Sequence, residues 1–157
     1  MSRLVGLVHH SISDAGPASR HTLSLSAFAD LEKHIRGQTS PPDVTITFDD
    51  GHRSNLQAAM ELAELGIRAT VFVTPSFCID RSDFLKPAEL RALHRIADVG
   101  AHGYTHRPLT ALDRRALDRE LVDSKIRLAA STSPAPLAAR PRPPKAAGSP
   151  TFCKERK

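Results

Sequence analysis

The sequence predicts an α/β fold whose strands run parallel. Apolar segments rich in β-branched residues alternate with segments of helical periodicity, and the links between them are short. Strands joined through helices lie parallel and are connected by right-handed crossovers. Functional side chains of such folds gather at the carboxyl ends of the strands, so we expect a site at that edge of the sheet.

Four segments are predicted as strands because they are apolar and β-branched. The first ends at His9 and His10, the second ends at Asp49, and the last delivers His102. The predicted strands span residues 4–8, 44–48, 69–74 and 98–101. Titratable residues therefore follow three of the four strands.

Four further segments are predicted as helices. The first is expected to begin after Ser26 as its N-cap and to end at Gly37, and the last to begin after Thr110. Gly66 is the predicted end of the second helix, and Pro87 suits the first turn of the third. The residues expected on the buried faces are Phe28, Leu31 and Ile35, then Leu56, Ala59, Met60 and Ala63, then Leu90, Leu93 and Ile96, and finally Leu117, Leu121 and Leu128.

The composition changes after residue 130. Half of the 12 prolines lie in residues 131–157, mixed with Ala, Arg and Lys and with few large apolar residues. A segment of this composition cannot bury enough apolar surface to fold. We therefore predict one (β/α) domain over residues 1–130 and a disordered, basic, Pro-rich tail over residues 131–157.

The net charge of +5 comes from the tail. Six of the 22 basic residues and one of the 17 acidic residues lie after Ala130, so the preceding residues carry 16 of each sign. A balanced domain without a basic face interleaved with aromatic residues predicts no nucleic-acid partner. No apolar run resembles a signal peptide or a membrane span, and Cys78 and Cys153 are too few for a disulfide framework. We therefore expect a cytoplasmic protein with no membrane partner.

Two short motifs carry the chemistry, TFDDG at residues 47–51 and HGYTH at residues 102–106. Together they offer two carboxylates and two imidazoles. Adjacent side chains of an extended chain point to opposite faces, so one of Asp49 and Asp50 is expected to bind a metal while the other acts as a base. His102 and His106 are four residues apart, which can bring two ring nitrogens to one metal on a helical turn or a tight loop.

Each motif also has a simpler interpretation. Asp-Asp-Gly after a strand is usually a turn without a chemical role. A pair of histidines four residues apart often lies on the surface without binding a metal. The order of the motifs and their matching positions favour a shared site. Nearby, His10 either faces that site or has a structural role, and His52 either orients Asp49 or caps the following helix. Cys78 is predicted to be a buried apolar residue and not a nucleophile.

Both motifs resemble those of the polysaccharide deacetylases, the family-4 carbohydrate esterases that include the chitooligosaccharide deacetylase of nodulation. The resemblance covers residues 4–128 and includes residues 66–73, which are similar to the strand after the first motif. It implies an irregular (β/α) barrel, of which residues 1–130 form an incomplete part. It also implies an enzyme that removes N-acetyl groups from amino-sugar polysaccharides or oligosaccharides.

The resemblance also assigns roles to individual residues. It implies that Asp50, His102 and His106 bind a divalent metal, with zinc expected first and cobalt, nickel and manganese as alternatives. Asp49 would be the general base. His10 and His52 are the expected substrate-binding residues, and the expected partner is an N-acetylated carbohydrate.

The sequence departs from the family pattern in its C-terminal part. No histidine follows His106 to protonate the leaving amine, and residues 140–144 lack the aromatic residue of the family's Arg-Pro motif. Since (β/α) barrels run to ~250 residues, we expect a truncated barrel with an unpaired sheet edge that favours self-association. An inactive deacetylase and a non-catalytic metal or glycan binder stay open as alternatives. A two-His-one-carboxylate iron oxygenase does not suit the alternation of strands and helices.

Overall fold

The computed structural model describes residues 5–14, 21–37 and 44–133. The strands of these ranges are β1 (Val5–His9), β2 (Ser11–Ile12), β3 (Thr22–Leu23), β4 (Val44–Phe48), β5 (Thr70–Val73) and β6 (Asp98–Ala101). The helices are α1 (Leu25–Arg36), α2 (Ser54–Glu64), α3 (Pro75–Asp80), α4 (Pro87–Ile96) and α5 (Arg114–Thr132), with a 3₁₀ turn at Leu109–Ala111. The four predicted strands and four predicted helices are all present.

Four of the strands form one parallel sheet in the order β1, β4, β5, β6. His9 lies opposite Phe48, Phe48 opposite Val71, and Val73 opposite Ala101. The prediction of parallel strands is therefore confirmed, and all four strands end at one edge. Within the described ranges, β1 and β6 are the outer strands. The short strands β2 and β3 form a separate parallel pair that the sequence did not predict.

The core lies between one face of this sheet and the helices. Strands β4 and β5 alternate between the two faces with the period of two that strands impose. Their inward residues are at most 1% exposed, namely Ile46, Phe48, Val71 and Val73. Helices α2, α4 and α5 contribute Leu62, Leu93 and Leu128 to the same apolar cluster. Cys78 is buried in it as predicted, and burial raises the pKa of its thiol to about 11.

The buried face of α2 differs from the predicted one. Ala58, Ala59 and Leu62 are buried, whereas Met60 is 48% exposed and Ala63 is also exposed. The polar residue Asn55 lies on the buried face because its amide donates a hydrogen bond to the carbonyl of the residue after β1. A pattern based on apolar residues alone misses a face that includes a polar side chain bonded to another segment of the chain.

Helix α5 is rotated relative to its predicted apolar stripe. Its buried residues are Glu120, Ser124 and Leu128, whereas Leu117 is only partly buried and Leu121 is 45% exposed. The rotation places a carboxylate where the sequence pattern suggested leucine. The prediction of a leucine core stripe was therefore wrong at Leu121, and the reason lies in the loop that Glu120 contacts.

Two predicted helix starts were also wrong. Ser24, not Ser26, caps α1 by accepting a hydrogen bond from the Ala27 N–H at 3.1 Å. Asp113 caps α5 by accepting from the third residue of that helix, whereas Thr110 lies in the preceding 3₁₀ turn. Both caps satisfy amide groups that have no partner within the first turn. Pro87 does occupy the first turn of α4 as predicted, and α3 was not predicted.

The predicted tail falls mostly outside the described residues. Helix α5 continues to Thr132, two residues past the predicted boundary, and residues 134–157 lie outside the described ranges. None of the helices in the described ranges combines the length and apolar character needed to cross a membrane.

Gly51 combines a left-handed backbone with close packing, which makes it a test of the fold. Its φ is +82°, and an added Cβ would lie 3.1 Å from Val73 Cγ1. We predict that Gly51→Ala lowers the free energy of unfolding by about 2 kcal/mol or more, measured by urea denaturation. Gly66→Ala is the matched control, because Gly66 has φ +76° but no atom within 4 Å of such a Cβ. Gly66→Ala should lower the free energy of unfolding by only about 1 kcal/mol. Equal reductions for the two variants would contradict the packing argument.

Candidate metal centre

The two motifs meet at the carboxyl edge of the parallel sheet. Hydrogen bonds continue the strand ladder past the strand ends, since the Asp49 N–H donates to the His9 carbonyl and the His102 N–H donates to the Val73 carbonyl, both at 2.8 Å. The Thr74 N–H donates to the Asp50 carbonyl at 3.2 Å. These bonds fix the first residues after each strand, so residues far apart in sequence are held side by side.

The structure brings Asp50, His102 and His106 together. One ligand atom from each lies within 4.8 Å of the others. Oδ1 of Asp50 is 3.2 Å from Nε2 of His106 and 3.7 Å from Nε2 of His102. The histidine pair sits on an irregular loop, so of the two predicted arrangements the tight loop is the one observed.

The backbone at two of these residues is left-handed. Asp50 has φ +70° and His106 has φ +62°, and they are the only residues other than glycine with positive φ in the described ranges. Asp and His tolerate this region better than most residues, but such conformations cost of order 1–3 kcal/mol and cluster at functional sites. The argument from extended geometry was therefore wrong at Asp50. Asp50 joins the cluster and Asp49 does not, and the division of the two aspartates into metal ligand and base stays a prediction.

These three side chains suit a divalent cation. Oδ1 of Asp50 is buried and makes no hydrogen bond to any residue that the structure describes, even though two imidazole nitrogens face it. Donors bound to one tetrahedral zinc at about 2.1 Å are separated by roughly 3.4 Å, which is close to the two distances at Asp50. His102 and His106 are 34% and 44% exposed, so the cluster is open to solvent on the histidine side.

His10 lies beside this cluster. Its Nε2 is 3.9 Å from Oδ2 of Asp50, and its ring packs on that of His21 at 4.6 Å between centroids. The His10 carbonyl accepts a hydrogen bond from the buried Asn55 amide, and its N–H donates to the His21 carbonyl. Both bonds fix the backbone that directs the imidazole towards Asp50.

The structure places His52 near the first turn of α2. Its Nδ1 lies 2.9 Å from the Ser54 hydroxyl and accepts a hydrogen bond from the Ser54 N–H at 3.2 Å. The other ring nitrogen is 4.0 Å from Asp83, and the ring packs edge-on against Phe84. These contacts match the helix-capping alternative for His52 and do not join it to the Asp50 cluster.

An open cleft adjoins the two candidate histidine ligands. Its volume is about 430 Å³, which is in the range of small-molecule sites. Its walls come from the end of β6, the second motif, the residues that follow it and Leu121 of α5. The exposed Leu121 therefore lines the candidate site.

The unpredicted helix α3 supports the second motif from one side. The Ser76 N–H donates to the Tyr104 carbonyl at 3.1 Å, and the Phe77 ring packs against His106 with 5.7 Å between centroids. The Lys86 ammonium donates to two carbonyls at the end of this helix, those of Cys78 and Arg81. No periodic pattern marks a helix as short as α3, which explains why it was missed.

Glu120 supports the same loop from the opposite side and was also missed. Its carboxylate accepts hydrogen bonds from the backbone N–H groups of Tyr104 and Thr105 and from the Thr105 hydroxyl. Burial by itself raises the pKa of Glu120, but the hydrogen bonds from Thr105 and Tyr104 and the charge of Arg107 outweigh it, so its pKa lies below the ordinary value. In the sequence Glu120 directly precedes Leu121 of the predicted stripe, and no local signal distinguishes it from the exposed Asp118 and Asp123 of the same helix.

Comparison with known proteins agrees with the motifs. The polysaccharide deacetylase family matches residues 36–157, which include both motifs. The chain therefore belongs to the polysaccharide deacetylase family, and the resemblance noted from the two motifs is confirmed. The matched range also includes the residues predicted as a disordered tail.

Individual relatives are similar over part of their length. A chitooligosaccharide deacetylase of Sinorhizobium fredii (strain NBRC 101917 / NGR234) is 32% identical over 98 residues, which cover 60% of this chain and 44% of the relative. The chain thus spans less than half of that protein.

Two solved structures share the fold. The deacetylase PplD of Streptococcus pyogenes, in complex with acetate, superposes with a TM-score of 0.66 at 15% identity over 82% of this chain and 69% of its own. The BpsB deacetylase domain of Bordetella bronchiseptica gives a TM-score of 0.57 at 16% identity over 83% of this chain and 75% of its own. Both likenesses support the α/β fold with parallel strands.

The lowered pKa of Glu120 makes its effect on stability dependent on pH. Its contribution should be complete above the pKa of an unfolded glutamate, about 4.3, and should be lost as pH falls through the lower folded-state pKa. We predict that Glu120→Gln reduces the free energy of urea unfolding more at about pH 7 than at about pH 3. The uncharged Ser124→Ala on the same buried face is the control and should lack this decline. A Glu120→Gln effect that grows on acidification would contradict the assignment.

Proposed function

We propose that this chain is a metal-dependent hydrolase that removes N-acetyl groups from amino-sugar polysaccharides or oligosaccharides. The observation that carries the proposal is the convergence of Asp50, His102 and His106 in a member of the polysaccharide deacetylase family. The similarity to a chitooligosaccharide deacetylase supports the substrate class. The open cleft beside the histidines offers room for a sugar.

Asp50, His102 and His106 would hold the cation, with zinc first and cobalt, nickel or manganese as alternatives. A neutral imidazole pair and one carboxylate are the donors of many catalytic zinc sites. When bound, such an ion supplies Lewis acidity, which activates water near neutral pH and stabilises negative charge on a carbonyl oxygen. The buried Oδ1 of Asp50 would gain the partner that it lacks among the described residues.

Asp49 would serve as the general base. Asp49 directly precedes Asp50 and is only half-buried. It contributes no ligand atom to the cluster of Asp50, His102 and His106. Its carboxylate would take a proton from water as the water oxygen bonds to the acetyl carbon. The amine nitrogen must gain a proton before the C–N bond breaks, and acetate and the free amine are then released. His10, directed towards Asp50, would contact the substrate.

A second candidate function is a metal or glycan binder without turnover. Residues 107–157 contain no histidine, and residues 140–144 lack an aromatic residue. The cluster of Asp50, His102 and His106 would suffice for binding, whereas turnover also needs a proton donor for the leaving amine. Binding and turnover must therefore be measured separately.

The metal assignment predicts one strong site that depends on the clustered histidines. Calorimetric titration of the chelator-treated protein with Zn²⁺ should give a stoichiometry of about one, and His102→Ala should weaken binding by roughly 100-fold or more. His94→Ala is the matched control, because His94 is exposed on α4 and outside the cluster. Undiminished binding by His102→Ala would remove this residue from the site.

The assignment of the base predicts that Asp49→Asn lowers the rate of acetate release without a matching loss of metal. With acetylated chitooligosaccharide and added Zn²⁺ or Co²⁺, the rate should fall by about 10²- to 10⁴-fold. Asp80→Asn, at the exposed end of α3, should keep the full rate. Equal rates for wild type and Asp49→Asn would refute the assignment, and stoichiometric metal binding with no turnover by the wild type would favour the binder.

A further inference from the structure

We infer that Glu120 is a positioning residue of the metal centre, which holds the loop between His102 and His106 in the conformation that presents both imidazoles to one ion. The role rests on the proposed function, because the cation is what the imidazoles are positioned for. Glu120 touches neither imidazole in the contacts of the described residues, so it would act through the loop backbone.

The contacts of Glu120 are concentrated on the two residues that precede His106. Its Oε2 accepts hydrogen bonds from the Tyr104 N–H at 2.6 Å and the Thr105 N–H at 2.9 Å. Its Oε1 accepts a short bond from the Thr105 hydroxyl and a longer one, at 3.2 Å, from the Thr105 N–H. Hydrogen bonds to an ionised carboxylate are stronger than neutral ones, so one side chain fixes two consecutive peptide groups.

The burial of Glu120 makes these bonds necessary. The residue is 6% exposed, and it forms no salt bridge within the described ranges. A buried carboxylate is costly unless hydrogen bonds replace its water. The loop donors and the carboxylate therefore depend on each other. Loss of the loop conformation would leave the carboxylate without these partners.

Two features of the loop backbone match this contact. Gly103 has φ +75°, and an added Cβ would lie 3.0 Å from Oε2 of Glu120. Because Gly103 has no side chain, the Glu120 carboxylate can approach the loop backbone there. His106 then adopts its left-handed conformation directly after the clamped residues. Such a conformation persists only where the surroundings fix it, and Glu120 and α3 fix the preceding peptides from two sides.

A preformed loop has a measurable consequence for metal binding. Ligands already held in place do not have to be ordered by the ion, so affinity rises with the rigidity of their support. Removal of residues that orient ligands typically costs 10- to 100-fold in metal affinity. A residue that only joined α5 to the rest of the fold would lower stability without changing the metal's surroundings.

The test compares Glu120→Gln with Ser124→Ala in the full chain. Glutamine keeps the shape but turns an amide group towards donors of the loop. In Glu120→Gln we expect Zn²⁺ affinity to fall by about 10- to 100-fold, the visible absorption of the Co²⁺ form to change, and the amides of residues 104 and 105 to exchange faster in metal-free protein. Ser124 is buried one turn along the same face and donates to the Leu121 carbonyl of its own helix. Its variant should leave Zn²⁺ affinity and the Co²⁺ spectrum unchanged.

A second variant keeps the inference testable if Glu120→Gln fails to fold. Thr105→Val removes only the hydroxyl bond and should lower Zn²⁺ affinity by about threefold or more, whereas Thr105→Ser should retain wild-type affinity. Wild-type affinity and an unchanged Co²⁺ spectrum in Glu120→Gln, or in Thr105→Val where that variant is used, would overturn the inference while the proposed function stands. Absence of Zn²⁺ binding by the wild type would overturn the proposed function and the inference together.

Discussion

One buried carboxylate oxygen, Oδ1 of Asp50, is the feature on which the rest of the site depends. It makes no hydrogen bond within the described residues, and the ring nitrogens of His106 and His102 approach it. A buried acceptor without a partner is costly in a folded protein. A cation shared with the two imidazoles would satisfy this oxygen, and this is the reason for which we propose a binding site here.

The surrounding fold holds this arrangement against its local cost. Parallel strands bring both motifs to one edge, and backbone bonds beyond the strand ends fix their first residues. The left-handed turn at Asp50 is supported by Gly51, which packs against Val73. The second motif is held by α3 on one side and by Glu120 on the other. Strain at Asp50 and His106 is thereby offset by contacts with rigid elements.

The strand and helix pattern and the candidate ligands could be predicted from sequence, whereas their supports could not. Apolar β-branched runs and the two motifs are local signals, and the parallel topology follows from their alternation. Glu120 and Asn55 escaped prediction because a polar residue on a buried face looks exposed until its partner in another segment is known. Helix α3 was too short for periodicity, and the left-handed φ at Asp50 depends on packing against β5. The observed caps, Ser24 and Asp113, differ from the predicted ones by two and three residues, because several neighbouring residues can cap a helix.

The most direct test of the metal centre is zinc X-ray absorption spectroscopy of the protein loaded with one equivalent of Zn²⁺. The arrangement at Asp50 predicts scattering from two imidazole rings and from oxygen in the first shell, at about 2.0–2.2 Å. A spectrum with oxygen scattering alone, without the multiple scattering of imidazole, would contradict the shared site of Asp50, His102 and His106.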